Sequence, residues 1–278
     1  MSAQRLIEVF ADWSELGGPT LMGHLSAAPA RGKEIFSFEY DEAWLASGQH
    51  APLDPTMALY RGPQYPSSGR TNFGVFLDSC PDRWGRVLMR RREAQLARAE
   101  GRDERRLLES DYLLGVHDGH RMGALRYRVD GRFLDDNDEL ASPPWTSLRE
   151  LEHASLELER SDAASDPEYG LWLRMLIAPG GSLGGARPKA SVRDEHGHLW
   201  IAKFPSRSDE EDTGAWESVV HGLAGAAGID VPEAELRVFG PSDGPGRGHH
   251  TYLSRRFDRT ASGSRIHFAS AMTLLEHR

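Results

Sequence analysis

The chain has 278 residues, of which 39% are apolar and 27% charged, a composition typical of a globular protein with a sizeable core. Its net charge of −9 argues against binding nucleic acid by bulk positive charge, and its single cysteine excludes an intrachain disulfide. Neither a signal peptide nor an apolar run of the roughly 18 residues that a membrane span needs is present, so we expect a cytoplasmic protein with no membrane partner.

The N-terminal part, residues 1–65, has the pattern of strands and turns. Ile35–Tyr40 alternates apolar and polar residues, which predicts a half-buried strand. Trp44 and Leu45 begin a short helical or turn segment. This region therefore predicts a small β-rich subdomain.

In residues 71–115 the apolar residues recur at the three- and four-residue spacing of a helix. This pattern predicts one helix around Trp84 and a second from Leu107 to Leu114. Residues 122–134 then predict a hairpin whose turn is Asp130-Gly131. The acidic and proline-rich stretch 135–146 is the best candidate for a linker.

Two further helices are predicted after the linker. Ser147 is a candidate N-cap for a helix to about residue 160, with Glu150 at the capping-box position. A second helix fits Tyr169–Ile177. After Pro179 the pattern becomes glycine loop, strand, strand, helix, strand, strand.

The sequence thus predicts an α+β protein in three parts, 1–135, 136–178 and 179–278. The strongest chemical signal is the run 179–189, which places four glycines in six positions. Successive backbone N–H groups of such a run can converge on an anion, for which nucleotide phosphates are the natural choice. The run is neither a Walker A motif nor GxGxxG, and a glycine run taken alone is more often a flexible loop than a phosphate site.

The context of the glycine run favours phosphate binding. A strand containing Lys203 follows, and a lysine among apolar neighbours needs a partner because an unpaired ammonium loses its hydration. Glu217, in the first turn of the next predicted helix, is the candidate partner. The alternative is that Lys203 extends from a sheet edge into solvent.

Several of these segments resemble the HipA family, the kinase toxins of type II toxin–antitoxin pairs. The resemblance covers nearly the whole chain, and its motifs are specific in combination. They are Met22–Leu25, the segment Asn72–Gly85 (NFGVFLDSCPDRWG), Gly123–Leu125, the glycine-loop signature Ser182–Lys189 (SLGGARPK) and the hinge signature Arg256–Arg259 (RFDR).

The resemblance implies a protein-kinase-like ATP-binding lobe, in which a five-stranded sheet leads into a hinge, preceded by a HipA-type N-terminal subdomain and a helical connector. It also implies ATP and Mg²⁺ as cofactors. Lys203 would hold the α- and β-phosphates and Glu217 would orient it, while Ser182 would be an autophosphorylated serine. The other implied ATP-binding residues are Ser182, Gly184, Gly185 and Ala186 in the phosphate loop and Arg255 and Phe257 at the adenine-contacting hinge.

A kinase of this family also needs a catalytic-loop Asp and Asn and a second Asp for Mg²⁺. Nothing after Asp258 offers them, so we expect most of the C-lobe to be absent, the catalytic residues to lie beyond Arg278, and this chain alone to be inactive. Asp118-Gly119-His120 resembles the family's DGH loop, but it precedes Lys203, and Gly123 stands where Asn is required.

The resemblance further implies a protein substrate, possibly an aminoacyl-tRNA synthetase, and a HipB-like helix-turn-helix antitoxin through which DNA is contacted indirectly. Two alternatives to a Ser/Thr protein kinase stay open. One is an inactive module that binds only nucleotide or antitoxin. The other is a structural protein with a coincidental glycine loop, for which Lys203→Ala would leave nucleotide affinity unchanged.

Overall fold

The computed structural model describes residues 4–48, 53–134, 145–180 and 185–276. It is α+β, with two antiparallel sheets, as the sequence predicts. The chain forms two compact units: unit one contains residues 1–81, 106–136 and 258–278, and unit two contains 82–105 and 137–257. The three-part domain division stays a prediction.

The strands and helices are as follows in chain order. The strands are β1 (Arg5–Ala11), β2 (Thr20–Ala30), β3 (Lys33–Tyr40), β4 (Leu125–Val129), β5 (Arg132–Phe133), β6 (Lys189–Arg193), β7 (Leu199–Lys203), β8 (Ala234–Arg237) and β9 (Thr251–Arg255). The helices are α1 (Glu42–Ala46), α2 (Gly74–Asp78), α3 (Arg83–Glu100), α4 (Glu109–Leu114), α5 (Leu148–Leu158), α6 (Tyr169–Gly180), α7 (Thr213–Ala226) and α8 (Ala271–Leu274).

Unit one is built on a five-stranded sheet of order β3-β2-β1-β4-β5. Alternate residues of its strands, such as Ile7 and Val9 on β1, are fully buried in a core with Phe38 and Phe76. The predicted hairpin is present: Asp130 and Gly131 join β4 to β5 with φ of 51° and 77°. Positive φ at both turn residues is what a two-residue type I′ turn requires, and it explains the Asp-Gly pair.

Unit two is built on a four-stranded sheet of order β6-β7-β9-β8. Trp200, Ala202 and Leu253 on one face of this sheet share a buried apolar core with side chains of α5 and α6. Side chains alternate between faces along a strand, so Lys203 and Tyr252 project from the other face. Helix α7 contacts β8 and β9.

This sheet has four strands within the described residues, whereas five are expected of a kinase-like lobe. The described part of the chain resumes only at Gly185, just before β6, and residues 181–184 lie outside it. Helix α6 also continues to Gly180, beyond the predicted end at Ile177. A Cβ at Gly180 would lie 2.9 Å from the carbonyl oxygen of Lys189, so this glycine permits close packing rather than contributing to a loop.

The first residue of one helix and the N-cap of another also differ from prediction. Helix α4 begins at Glu109 instead of Leu107, because the Asp111 carboxylate accepts a hydrogen bond from the Leu108 N–H (2.8 Å) and fixes Leu108 as the N-cap. Ser147 does precede α5, but its side chain makes no cap hydrogen bond. It ends a short 3₁₀ turn and lacks the extended backbone of a capping residue.

Among the residues that the structure describes, no helix has both the length and the apolar character to cross a membrane.

A buried carboxylate in unit two yields a stability prediction. Glu93 of α3 is 7% exposed, and it accepts hydrogen bonds from the Arg102 guanidinium (2.5 Å) and the Arg105 N–H (3.0 Å). These hydrogen bonds, that from Arg102 foremost, lower the pKa of Glu93 from 4.5 to about 2. The stabilisation is therefore present above pH 4.5 and is lost as the pH falls towards 2.

We expect Glu93→Gln to lower the free energy of unfolding at pH 7 by about 1–2 kcal/mol, since the arginine partner is partly solvated. The difference from the unmodified protein should shrink in urea titrations at pH 4 and 3. Glu100→Gln is the matched control, because Glu100 binds the same arginine from a more exposed position (2.6 Å). A deficit that is independent of pH would contradict the assignment.

Candidate nucleotide site on the sheet of unit two

An ion pair joins strand β7 to helix α7. The Lys203 ammonium donates a hydrogen bond to the Glu217 carboxylate, and both side chains are about one-third exposed. Lys203 also lies 5.5 Å from the centroid of the Tyr252 ring on β9. Solvated ion pairs contribute only about 0–1 kcal/mol to stability, so the main consequence of this one is to fix the direction of the ammonium.

A second lysine lies directly opposite the first. The register of β6 and β7 pairs Lys189 with Lys203, so the two side chains share one face of the sheet. Lys189 is 2% exposed. Burial, followed by repulsion from Lys203, lowers the pKa of Lys189 to about 8, against the attraction of Asp82 and Glu217.

Gly185 connects the end of the glycine run to this lysine. Its φ is +91°, a conformation that favours glycine, and a Cβ there would lie 2.9 Å from the Lys189 ammonium nitrogen. Its N–H donates to the Asp82 carboxylate, and its carbonyl accepts from the Trp84 N–H (3.3 Å). Asp82 also caps α3 by accepting a hydrogen bond from the Arg83 N–H (2.7 Å), so the start of this helix holds Gly185 in place.

The segments on either side of the lysines are anchored by their own polar contacts. Arg187 donates to the Asp209 carboxylate and to the carbonyl of Phe204. At the start of α7, Asp212 accepts hydrogen bonds from the N–H groups of Ala215 and His250, both at 3.0 Å. Burial acts to raise the pKa of Asp212, but the hydrogen bond with the His250 ring, followed by these two backbone bonds, outweighs it and lowers the pKa.

The predicted phosphate-loop residues are only partly described. Ser182 and Gly184 lie outside the described residues. Ala186 is exposed and follows Gly185 directly. Of the predicted set, the structure therefore brings Lys203 and Glu217 together and places Gly185 next to Lys189.

The two predicted hinge residues are Arg255 on β9 and Phe257 just beyond that strand. Arg255 is three residues beyond Tyr252 on β9 and so faces the other side of the sheet. Its backbone N–H is already bonded to the Glu233 carbonyl (2.8 Å). Phe257 is 55% exposed, so the alternative of a core position for its ring was wrong.

Asp118 has structural partners in unit one. Its carboxylate accepts hydrogen bonds from Arg126 (2.8 Å) and Arg265 (3.2 Å). These contacts give Asp118 a structural role in unit one, and the expectation that Asp118-Gly119-His120 is not a catalytic loop stays a prediction.

Lys189 is the site residue that sequence analysis missed, although it ends the glycine-loop signature. One sequence signal could have identified it. Of 33 cationic side chains only three are lysines, namely Lys33, Lys189 and Lys203. Two of the three face each other in this site.

Comparison with known families gives two matches. Residues 17–130 match the model described as the HipA N-terminal domain, and residues 181–278 match the model described as the HipA-like C-terminal domain. No curated protein matches the chain.

The lowered pKa of Lys189 yields a test of its buried charge. Between pH 8 and 10.5 the unfolded chain holds this proton more tightly, so the stability of the native protein should rise with pH in that window. We expect Lys189→Met to raise the free energy of unfolding at pH 7 by on the order of 2 kcal/mol, with the gain shrinking by pH 10.

Urea titrations at pH 7, 8, 9 and 10 measure this difference. Lys33→Met, on an exposed position of β3, is the control and should show no such pH dependence. Destabilisation by Lys189→Met at every pH would show that the ammonium is fully compensated by its neighbours.

Proposed function

Because this chain is a HipA-like protein, we propose that its unit two binds ATP and that the protein is a toxin Ser/Thr protein kinase of that family, acting on a protein target in the cytoplasm. The observation that carries the proposal is the pair of lysines opposite each other at the end of the glycine run. An aminoacyl-tRNA synthetase is the target that the family resemblance favours. A HipB-like antitoxin would counter the kinase and would make its contact with DNA indirect.

The charges of the site support a polyphosphate ligand. Two ammonium groups share one face of the sheet, and one of them is buried with its pKa lowered by that burial. A phosphate oxygen near both would offset their mutual repulsion and replace part of the hydration that Lys189 has lost. Glu217 keeps Lys203 oriented while leaving its other hydrogens to donate.

The backbone at Gly185 supports the same ligand. Since a Cβ there would approach the Lys189 ammonium to 2.9 Å, only glycine leaves room for an anion beside that nitrogen. Ser182, Gly184 and Ala186 complete the proposed loop, and Ser182 is the proposed site of autophosphorylation. Arg255 and Phe257 remain the proposed adenine contacts.

ATP would supply the transferable γ-phosphoryl group, and the residues of this site would hold and orient its phosphates. Kinases hold Mg²⁺ with one or two carboxylates together with the nucleotide phosphates. Within the described ranges, no three His, Cys, Asp or Glu side chains cluster as metal ligands. The described carboxylates beside the lysines, Glu217 and Asp82, already have other partners.

The second candidate function is a module that binds nucleotide or antitoxin without catalysis. Its support is that the described carboxylates beside the lysines already have partners. Glu217 is bonded to Lys203, and Asp82 accepts hydrogen bonds from backbone N–H groups. Incubation with radiolabelled ATP separates the two candidates, since label transferred to protein requires a kinase. Reading the coding DNA beyond codon 278 for a catalytic-loop motif is the complementary observation.

The scarcity of lysine permits a direct test of ATP binding. An acyl-phosphate derivative of ATP transfers its acyl group to the unprotonated amino group of a lysine beside its phosphates, forming an amide and releasing ATP. We expect mass spectrometry to find Lys203 or Lys189 acylated, with excess ATP preventing the reaction. Lys33 is the internal control and should react slowly with or without ATP. Equal labelling of all three lysines, insensitive to ATP, would contradict the proposal.

Calorimetry with ATP tests the same site through substitution. Lys203→Ala removes a charge-assisted hydrogen bond of about 1.5–3 kcal/mol, so we expect ATP affinity to fall at least tenfold. Glu217→Gln keeps the shape of the partner but releases the ammonium, and its loss should be smaller. Unchanged affinity for Lys203→Ala, with Lys33→Ala as the control, would favour a structural protein with a coincidental glycine loop.

A further inference from the structure

Unit two also contains a cavity whose lining includes neither Lys189 nor Lys203. It is bounded by helix α5, helix α6 and the loop after β8, and it has a volume of about 570 Å³. Most of its wall is apolar, from Leu156, Leu171, Trp172, Met175, Phe239 and Pro241. This volume lies within the range of roughly 300–1,000 Å³ that is typical of small-molecule sites.

One buried carboxylate interrupts the apolar wall. Glu152 of α5 lines the cavity and is 3% exposed. One of its oxygens, Oε2, accepts a hydrogen bond from the Thr251 hydroxyl on β9. The other oxygen, Oε1, receives no hydrogen bond from the described part of the chain, and it lies 3.7 Å from where a Cβ at Gly240 would be.

A carboxylate in such a place requires an explanation. Burial raises the pKa of Glu152, and this outweighs the hydrogen bond from Thr251 and the attraction of Arg149. A carboxylate set in an apolar wall has lost much of its hydration. A ligand that brings a donor to Oε1 would replace part of that hydration with a charge-assisted hydrogen bond.

The charges around the cavity indicate the sign of that ligand. Besides Glu152, the ionisable side chains on its wall are Arg149, Glu150, His153 and Glu168. Three carboxyl groups, those of Glu150, Glu152 and Glu168, thus face one guanidinium, that of Arg149. The cavity therefore favours a cation over an anion.

We propose that this cavity binds a small amphiphilic amine, with its apolar body between α5 and α6 and its ammonium group donating to Oε1 of Glu152. The site is separate from the proposed nucleotide site. Thr251 and Tyr252 are adjacent on β9 and so project to opposite faces of the sheet, Thr251 towards Glu152 and Tyr252 towards Lys203. The proposal does not depend on ATP binding.

The test uses two probes of equal size measured by calorimetry on the full chain, 4-phenylbutylamine and the uncharged 4-phenylbutan-1-ol. We expect the amine to bind at least tenfold more tightly than the alcohol. Glu152→Gln should remove that preference while leaving alcohol binding unchanged, because the glutamine amide oxygen can still accept from Thr251 and preserve the fold.

Glu150→Gln is the matched control, since it removes the same charge from the same helix at an exposed position of the cavity rim. It should change amine affinity less than threefold. Met175→Trp fills the apolar wall and should abolish binding of both probes. The proposal would be overturned by equal affinity for amine and alcohol, by an unchanged amine affinity in Glu152→Gln, or by no binding of either probe. The last result would point to a macromolecular occupant.

Discussion

The constraint on which unit two depends is the register of β6 and β7, which places two ammonium groups opposite each other on one sheet face. Like charges at directly opposed positions destabilise a sheet, and burial of one of them adds a desolvation cost. Glu217 and Asp82 attract the Lys189 ammonium, but burial, followed by repulsion from Lys203, still lowers its pKa to about 8. The apolar core on the opposite face, around Trp200 and Leu253, must therefore hold the register in place.

This arrangement links anion binding to the stability of unit two. An anion that contacts both ammonium groups binds the folded sheet, whereas the unfolded chain offers no such pair of charges. Binding to the native state alone stabilises it by mass action. The cost that the two lysines impose on the unliganded sheet thus becomes part of the binding free energy for an anionic ligand. In the same way, a cationic ligand that contacts the buried Glu152 would bind the folded protein and stabilise it.

Much of this could be predicted from local sequence pattern. The strand of Ile35–Tyr40, the Asp130-Gly131 turn and the order strand, strand, helix, strand, strand after the glycine run each follow from periodicity or turn chemistry, and all are present. The pairing of Lys203 with Glu217 followed from a simple rule, that a strand lysine among apolar residues needs a partner nearby. These predictions rest on interactions between residues close in sequence.

What could not be predicted depends on contacts between distant segments. The burial of Lys189 requires the register of β6 and β7, which two short strands do not specify by pattern alone. The tie between Asp82 and Gly185 spans 103 residues and joins a helix start to the glycine run. Gly180 gave a misleading signal, because packing against Trp84 and Leu88 requires glycine there within a helix. A glycine permits both close packing and anion contact, and only tertiary structure separates the two uses.

The position of Glu217 depends on the start of helix α7. Most of the apolar side chains along this helix, Trp216, Val219, Val220 and Leu223, are more than half exposed and so hold it weakly. Its first turn is held firmly instead. Asp212 binds both Ala215 and His250, and a Cβ at Gly214 would lie 2.1 Å from the His250 carbonyl oxygen. Because Glu217 lies less than one turn beyond Gly214, this close approach fixes the carboxylate against Lys203. A displacement of the helix start would release the ammonium from its partner, even with both charged residues intact.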